Sequence, residues 1–292
     1  MLRVLILGAT GMLGHELLRE LSVVDALDVY GSVRSSSLTG DQLPQQIASR
    51  VVTGVDAEPH AIEQVMRNLK PEIVVNCIGV IKQHERAQDP VTAITINSLF
   101  PHVLARECVR QAARLIHVST DCVFSGDQGD YREGDIADAR DVYGRSKLLG
   151  ETTAPPSLTI RTSIIGHELK TKRSLVDWFL SQTETVNGYR QAIYSGLTAT
   201  AFARMLASAV FPRSDLAGLY HVSSTPISKY ELLCKIAAEY KWQGQIVPFD
   251  DFRCDRSLCS DAFFQATGYR PGTWDEMIAG MHQSVTIGSV YE

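Results

Sequence analysis

Three residues in this chain carry the side chains of a proton-transfer site: the hydroxyl of Thr120, the phenol of Tyr143 and the ammonium of Lys147. Tyr143 and Lys147 are four positions apart, so on a helix they share one face and can enter one cleft. A free phenol titrates near ~10 and is a poor acid–base group at neutral pH; a nearby ammonium favours the phenolate and lowers that value. Thr120 closes the apolar run "RLIHVST". Read as a strand, this run puts the hydroxyl at the carboxyl edge of a sheet, where ligands of open α/β folds bind. Converging on one carbonyl oxygen, the three groups suffice to guide a proton while hydride moves at carbon. Taken singly, Y-x-x-x-K is an ordinary helix face; its meaning depends on what precedes it.

What precedes it is Gly8-Ala9-Thr10-Gly11-Met12-Leu13-Gly14, directly after the apolar run "LRVLIL" and opening a helical stretch. In that context the first glycine permits a tight turn, the second admits a pyrophosphate close to the backbone, and the third allows helix and strand to pack closely. The helix N-terminus then offers unpaired N–H groups and the positive end of its dipole to phosphates. Gly8, Thr10, Gly11, Met12, Leu13 and Gly14 are therefore candidate cofactor contacts. The second strand, "LDVYGSV", carries Asp28 at its start, the wrong end for a ribose 2′-hydroxyl, whereas Arg34 and Ser35 follow its carboxyl end. An arginine there accommodates a 2′-phosphate, so NADP(H) is the expected cofactor and NAD(H) the alternative. Asp56, with Ala57 beside it, could reach the adenine from the end of the third strand, and "NCIG" could bring the backbone of Cys77, Ile78 and Gly79 against the cofactor. Both stretches read equally well as loop punctuation.

The elements that must position these residues follow one rhythm. "LRVLIL", "LDVYGSV", "EIVVNCI", "ARLIHVS" and "SLTIRTS" are buried strands by composition, rich in β-branched residues and lacking strict alternation. Helical stretches over 12–21, 57–69 and 91–113 lie between them. This order predicts an α/β protein, a doubly wound parallel-sheet Rossmann fold with helices on both faces. After Gly166 the pattern becomes "SLVDWFLSQ", a polar stretch, a helix over 201–211, the strand "GLYHVS", the helix "SKYELLCKIAAEY" and a turn-rich tail. The expected division is a dinucleotide-binding domain over 1–166 with return segments around 200–222, and a smaller C-terminal substrate-binding lobe mainly over 167–292.

The chain has 292 residues, 45% hydrophobic and 21% charged, with a formal net charge of −5. That balance suits a soluble protein with a large core and no overall basic field for nucleic acid or an anionic membrane. The N-terminal apolar run is far shorter than a membrane span, so the expectation is a cytoplasmic protein. Its six cysteines form no C-x-x-C pair. They read as reduced core thiols, and no metal site is assigned. The stretch 91–113 is long and apolar enough for a homodimer face or for buried packing.

With Ser119-Thr120-Asp121-Cys122-Val123-Phe124 and Tyr143-Gly144-Arg145-Ser146-Lys147-Leu148-Leu149-Gly150-Glu151 on one chain, the sequence resembles the extended short-chain dehydrogenase/reductase family, most closely the dTDP-4-dehydrorhamnose reductases. "IRTS", "GLYHVSS" and "RSLCSD" extend the resemblance over nearly the whole length. It implies NAD(P)H-dependent reduction of a 4-keto-6-deoxy sugar carried on a nucleotide diphosphate, as in deoxysugar or polysaccharide biosynthesis. It also implies roles: Tyr143 as general acid, Lys147 tuning it and holding the nicotinamide ribose, and Thr120 bonding the keto oxygen. Asp121 would lie beside the sugar, Trp178 would wall the pocket, and Arg256 would meet the diphosphate or base. Cys122 stands where the family usually has a tyrosine near the sugar, and "IYSGLTAT" departs from the usual Asp-Gln-x-G-x-P-T. Two other functions stay open. An epimerase-reductase would need a second acid–base pair, for which Cys122 and His167 are candidates, although strand alternation would turn Cys122 to the other face. A non-catalytic dinucleotide-binding regulatory subunit, like the β subunit of methionine adenosyltransferase, would keep the fold without the chemistry.

Overall fold

A computed structural model describes residues 1–34, 49–80, 89–169 and 171–289. Seven parallel strands form the central sheet, in the spatial order Gly218–His221, Leu158–Thr162, Arg114–Thr120, Ile73–Asn76, Leu2–Leu7, Leu27–Ser32 and Val51–Val52. In chain order the first half runs β1 (Leu2–Leu7), α1 (Met12–Ser22), β2 (Leu27–Ser32), β3 (Val51–Val52), α2 (Pro59–Leu69) and β4 (Ile73–Asn76). Next come α3 (Pro90–Ala93), a π-helical segment (Ile94–Leu99), α4 (Phe100–Arg110) and β5 (Arg114–Thr120). α5 (Val142–Leu149) and β6 (Leu158–Thr162) follow. The strands are apolar on both faces because both are covered. Val4 and Ile6 join Leu17, Leu18 and Phe202 on one side, while Leu5 and Leu7 join Ile62, Met66 and Leu104 on the other. β1 pairs with β2 on one side and β4 on the other, so the chain order reverses there and a crevice opens at the strands' carboxyl ends.

The second half supplies β7 (Ile164–Ile165), α6 (Leu175–Leu180), β8 (Thr185–Tyr189), β9 (Ala192–Tyr194), β10 (Leu197–Thr198) and α7 (Ala199–Met205). It then adds β11 (Gly218–His221), β12 (Ile227–Ser228), α8 (Lys229–Glu239), β13 (Gln245–Phe249), β14 (Cys254–Asp255), α9 (Asp261–Thr267) and α10 (Trp274–Ser289). β11 returns to pair with β6. Trp274, Met277, Ile278 and Met281 of α10 belong to the same hydrophobic core as Val4 and Ile6 of β1.

Three expectations need correction. The tail is helical: α9 and α10 occupy most of it, and the spacing of Trp274, Met277, Ile278 and Met281 is the i, i+3, i+4, i+7 signal that identifies α10. The stretch 91–113 is interrupted by the π-helical segment at Ile94–Leu99. Cys122 does not continue β5, because the chain turns into a 3₁₀ helix at Asp121–Val123, so strand alternation does not govern where its thiol points. Among the described residues, no helix is long and apolar enough to cross a membrane.

Candidate active site

Gly8 sits at φ +83, the left-handed region where a side chain would be strained, and makes the turn out of β1. A Cβ on Gly14 would lie 2.2 Å from the Gly8 carbonyl oxygen, so only glycine lets α1 approach this closely. At Gly11, the N-cap of α1, a Cβ would come no nearer than 3.4 Å to protein, and no side chain caps the helix. The N–H groups of the first turn, at Met12, Leu13 and Gly14, therefore face the crevice without a side-chain acceptor. This cradle fits a dinucleotide pyrophosphate.

Arg34 is exposed just beyond β2, and Ser35 lies outside the described residues. Val33 receives the Val55 N–H at 3.0 Å, which draws the Asp56–Ala57 segment to the same edge, and Asp56 Oδ1 accepts the Glu58 N–H at 3.1 Å. Asn76 shapes the next turn, its Oδ1 accepting the Ile78 N–H at 3.0 Å. The site residues after β4 are braced by Asn97, which the sequence reading missed. Its Oδ1 accepts the Val80 N–H at 2.9 Å, and its Nδ2 donates to Val80 O at 3.1 Å and to Ser146 Oγ at 3.2 Å. One buried asparagine in a π-helical segment thus ties the loop containing Cys77, Ile78 and Gly79 to the helix carrying Tyr143 and Lys147. Nothing in its spacing along the chain would have identified it.

That helix, α5, starts at Asp141, whose carboxylate accepts the Gly144 N–H at 2.8 Å. Gly144 is required for contact: a Cβ there would fall 2.2 Å from the Cys122 carbonyl oxygen. The close approach lays α5 on the Asp121–Val123 turn and brings Tyr143 beside Thr120. Lys147, 6% exposed, donates from Nζ to the Val118 carbonyl at 2.8 Å. The structure brings Thr120, Tyr143 and Lys147 to the carboxyl end of β5.

The electrostatics differ from the expectation that Lys147 makes the phenol more acidic. Burial pushes Tyr143 above the ordinary tyrosine value; the Cys122 thiol adds to the rise, and a hydrogen bond with Thr120 opposes it. Lys147 is itself pushed down to about 8 by burial, with Glu151 holding it up. Desolvation thus outweighs the Thr120 hydrogen bond at Tyr143 and the attraction of Glu151 at Lys147, and the phenol keeps its proton at neutral pH. Burial raises the Cys77 thiol to about 12 against the pull of Lys147. It also raises Cys122 to about 12, so no thiolate is available there.

Asp121, 8% exposed, is raised by burial and stabilised by Arg256. Arg256 crosses from β14 to donate from Nε to Phe124 O at 2.8 Å and from Nη2 to Ser125 O at 3.1 Å. Trp178 is 41% exposed on α6. Both nitrogens of His167 are engaged, Nδ1 with Asp177 Oδ1 at 2.6 Å and Nε2 with the Tyr240 hydroxyl at 2.7 Å, which ties α6 to α8 and leaves no free nitrogen to pair with Cys122. Beneath the site, Arg161 donates to Glu151 through Nε and Nη2, each at 2.8 Å, and Ser119 Oγ donates to the same carboxylate at 2.7 Å.

The family described as the RmlD substrate binding domain matches residues 2–258. The chain belongs to this family. The spore coat polysaccharide biosynthesis protein SpsK of Bacillus subtilis (strain 168) is 29% identical over 293 residues, covering 95% of this chain and 96% of its own. The methionine adenosyltransferase 2 subunit beta of Danio rerio is 27% identical over 256 residues, covering 80% of this chain and 73% of its own. A crystal structure of dTDP-4-dehydrorhamnose reductase from Bacillus anthracis in complex with NADP superposes with a TM-score of 0.77 at 22% identity, over 97% of this chain and 99% of that one. The shared fold is the doubly wound α/β architecture described above.

Proposed function

We propose that this protein reduces the 4-keto group of a 6-deoxyhexose carried on a nucleoside diphosphate, with NADPH preferred over NADH. The observation that carries the reading is the convergence of Thr120, Tyr143 and Lys147 at one strand end, facing the Gly8–Gly14 cradle across the crevice. When bound, NADPH supplies the hydride. Gly8, Thr10, Gly11, Met12, Leu13 and Gly14 would hold its pyrophosphate, Arg34 and Ser35 its 2′-phosphate, Asp56 and Ala57 its adenosine, and Cys77, Ile78 and Gly79 its central part.

Thr120 Oγ1 holds the keto oxygen by hydrogen bonding. As that oxygen gains negative charge it takes the proton from Tyr143 Oη, so the carbonyl becomes a secondary alcohol and the phenol a phenolate. A phenol kept protonated by burial is suited to this direction. Lys147, charged below about pH 8, stabilises the phenolate as it forms and binds the nicotinamide ribose. Asp121, Cys122, Trp178 and Arg256 line the substrate side. The two parts of the chain divide this work, 1–166 with the return segments around 200–222 holding the dinucleotide and the rest of 167–292 holding the sugar nucleotide.

The test is NADPH oxidation with a panel of 4-keto-6-deoxy nucleotide sugars. Turnover with at least one member is expected; NADPH binding without turnover on any of them would overturn the reading. The second reading, a dinucleotide-binding regulatory subunit, is favoured by the methionine adenosyltransferase subunit among the relatives. It predicts that silent outcome.

A further inference from the structure

Glu151 follows the catalytic helix α5, and its N–H donates to Leu148 O at 3.2 Å to close the last turn. Its carboxylate is folded back onto the sheet and buried, the side chain 7% exposed. Oε1 accepts from Ser119 Oγ at 2.7 Å and from Arg161 Nε at 2.8 Å, and Oε2 accepts from Arg161 Nη2 at 2.8 Å. Four residues earlier, the buried Lys147 donates from Nζ to Val118 O at 2.8 Å. Val118 and Ser119 are consecutive on β5. Ammonium and carboxylate are therefore anchored, out of water, to neighbouring residues of one strand, immediately before Thr120.

The surroundings leave Glu151 to answer the charge of Lys147. Arg161 Nη1 meets His221 Nε2 at 3.3 Å; a guanidinium only donates, so Nε2 accepts, Nδ1 donates to Tyr131 O at 3.0 Å, and the imidazole is neutral, as its burial also favours. Cys77 beyond β4 and His117 of β5 also bear on Lys147, but burial keeps the thiol protonated and the imidazole uncharged. Tyr143 keeps its proton as well. Glu151 is the partner that holds the ammonium against the cost of burial.

We propose that Glu151 is a positioning residue of the reductase site: it pins the end of α5 to β5 through Ser119 and supplies the buried negative charge that keeps Lys147 an ammonium at Val118. The assignment rests on the nucleotide-sugar reading above and extends it to a residue that acts through Lys147. Of the three N–H bonds of Lys147, one is spent on Val118, which leaves two for the phenolate and the nicotinamide ribose. Both of those contacts are strongest while the group is charged.

The test is the pH dependence of two quantities in the full chain: kcat/KM for a 4-keto-6-deoxy nucleotide sugar, and the affinity for NADPH. In Glu151→Gln the ammonium loses its counter-charge and gives up its proton at lower pH, so the alkaline decline of both quantities should move down by about 1 pH unit or more. That variant also orphans the buried Arg161. It is therefore paired with Glu151→Gln/Arg161→Met, which removes both charges and should recover most of the Tm lost by the single variant. The decline should stay low in the double variant. On a Lys147→Arg background, where the charge no longer titrates, Glu151→Gln should shift neither quantity. Declines that stay at the wild-type pH, that return to it as the Tm recovers, or that still shift on the Lys147→Arg background would each overturn the assignment and leave Glu151 as an ion pair that only holds the fold. A chain that binds NADPH but turns over no keto sugar defeats the reductase reading alone, and its NADPH affinity against pH still decides the role of Glu151.

Discussion

Replacing Tyr143 by phenylalanine keeps the ring and its packing but removes the transferable proton. Turnover should fall about 10²–10⁴-fold, with NADPH affinity nearly unchanged; wild-type turnover by Tyr143→Phe would end the mechanistic claim. Lys147 leads to a pH prediction. Burial lowers its pKa to about 8, so the ammonium is present below that pH and lost as pH rises through it. Free-protein kcat/KM should therefore decline above about pH 8, and Lys147→Arg, which stays charged, should move the decline upward; an unmoved alkaline limb would remove Lys147 as its source. Arg34 decides cofactor preference: Arg34→Ala should weaken NADP(H) by about 10-fold or more while NAD(H) changes little, and equal losses would refute the 2′-phosphate contact.

At the scale of elements, the site depends on two close backbone approaches and one buried ion pair. Gly14 lets α1 lie against the β1 turn, with a Cβ position 2.2 Å from Gly8 O. Gly14→Ala must push the helix away and should lower dinucleotide affinity without unfolding the sheet. Glu151 and Arg161, with side chains 7% and 5% exposed, tie the end of α5 to β6. Glu151→Gln leaves a buried guanidinium without its counter-charge and should cost about 3 kcal/mol, read as a lowered Tm; an unchanged Tm would show that water or other groups already serve Arg161. The helix–strand alternation around these contacts was legible because runs such as "LRVLIL" and "EIVVNCI" advertise strands buried on both faces. The tail reads as turns because Gly268, Pro271 and Gly272 punctuate it, although Trp274, Met277, Ile278 and Met281 beyond them keep helical spacing.

Across the whole molecule, one hydrophobic core includes Val4 and Ile6 of the first strand, Phe202 of α7, and Trp274, Ile278 and Met281 of the last helix. Sharing a core at such sequence separation should make the two parts of the chain unfold together. Calorimetry of the protein without ligand is expected to show a single cooperative transition. Two well-separated transitions would mean that the C-terminal residues fold as an independent unit.

The sequence by itself determined what is local and periodic. The order of strands and helices, the glycine turn at Gly8 to Gly14, and the four-residue spacing of Tyr143 and Lys147 follow from backbone sterics and helix geometry acting over a few residues. Proton affinities belong to the other category. Tyr143 is held protonated, and Lys147 lowered, by desolvation from segments distant in the chain, and not by the mutual attraction that their spacing alone suggested. Asn97 bracing the catalytic helix and Cys122 in a 3₁₀ turn against it likewise arise only when remote strands and helices are laid together. Spacing along one helix can place two groups on a common face; only the tertiary structure sets how much water remains around them and which charges they meet.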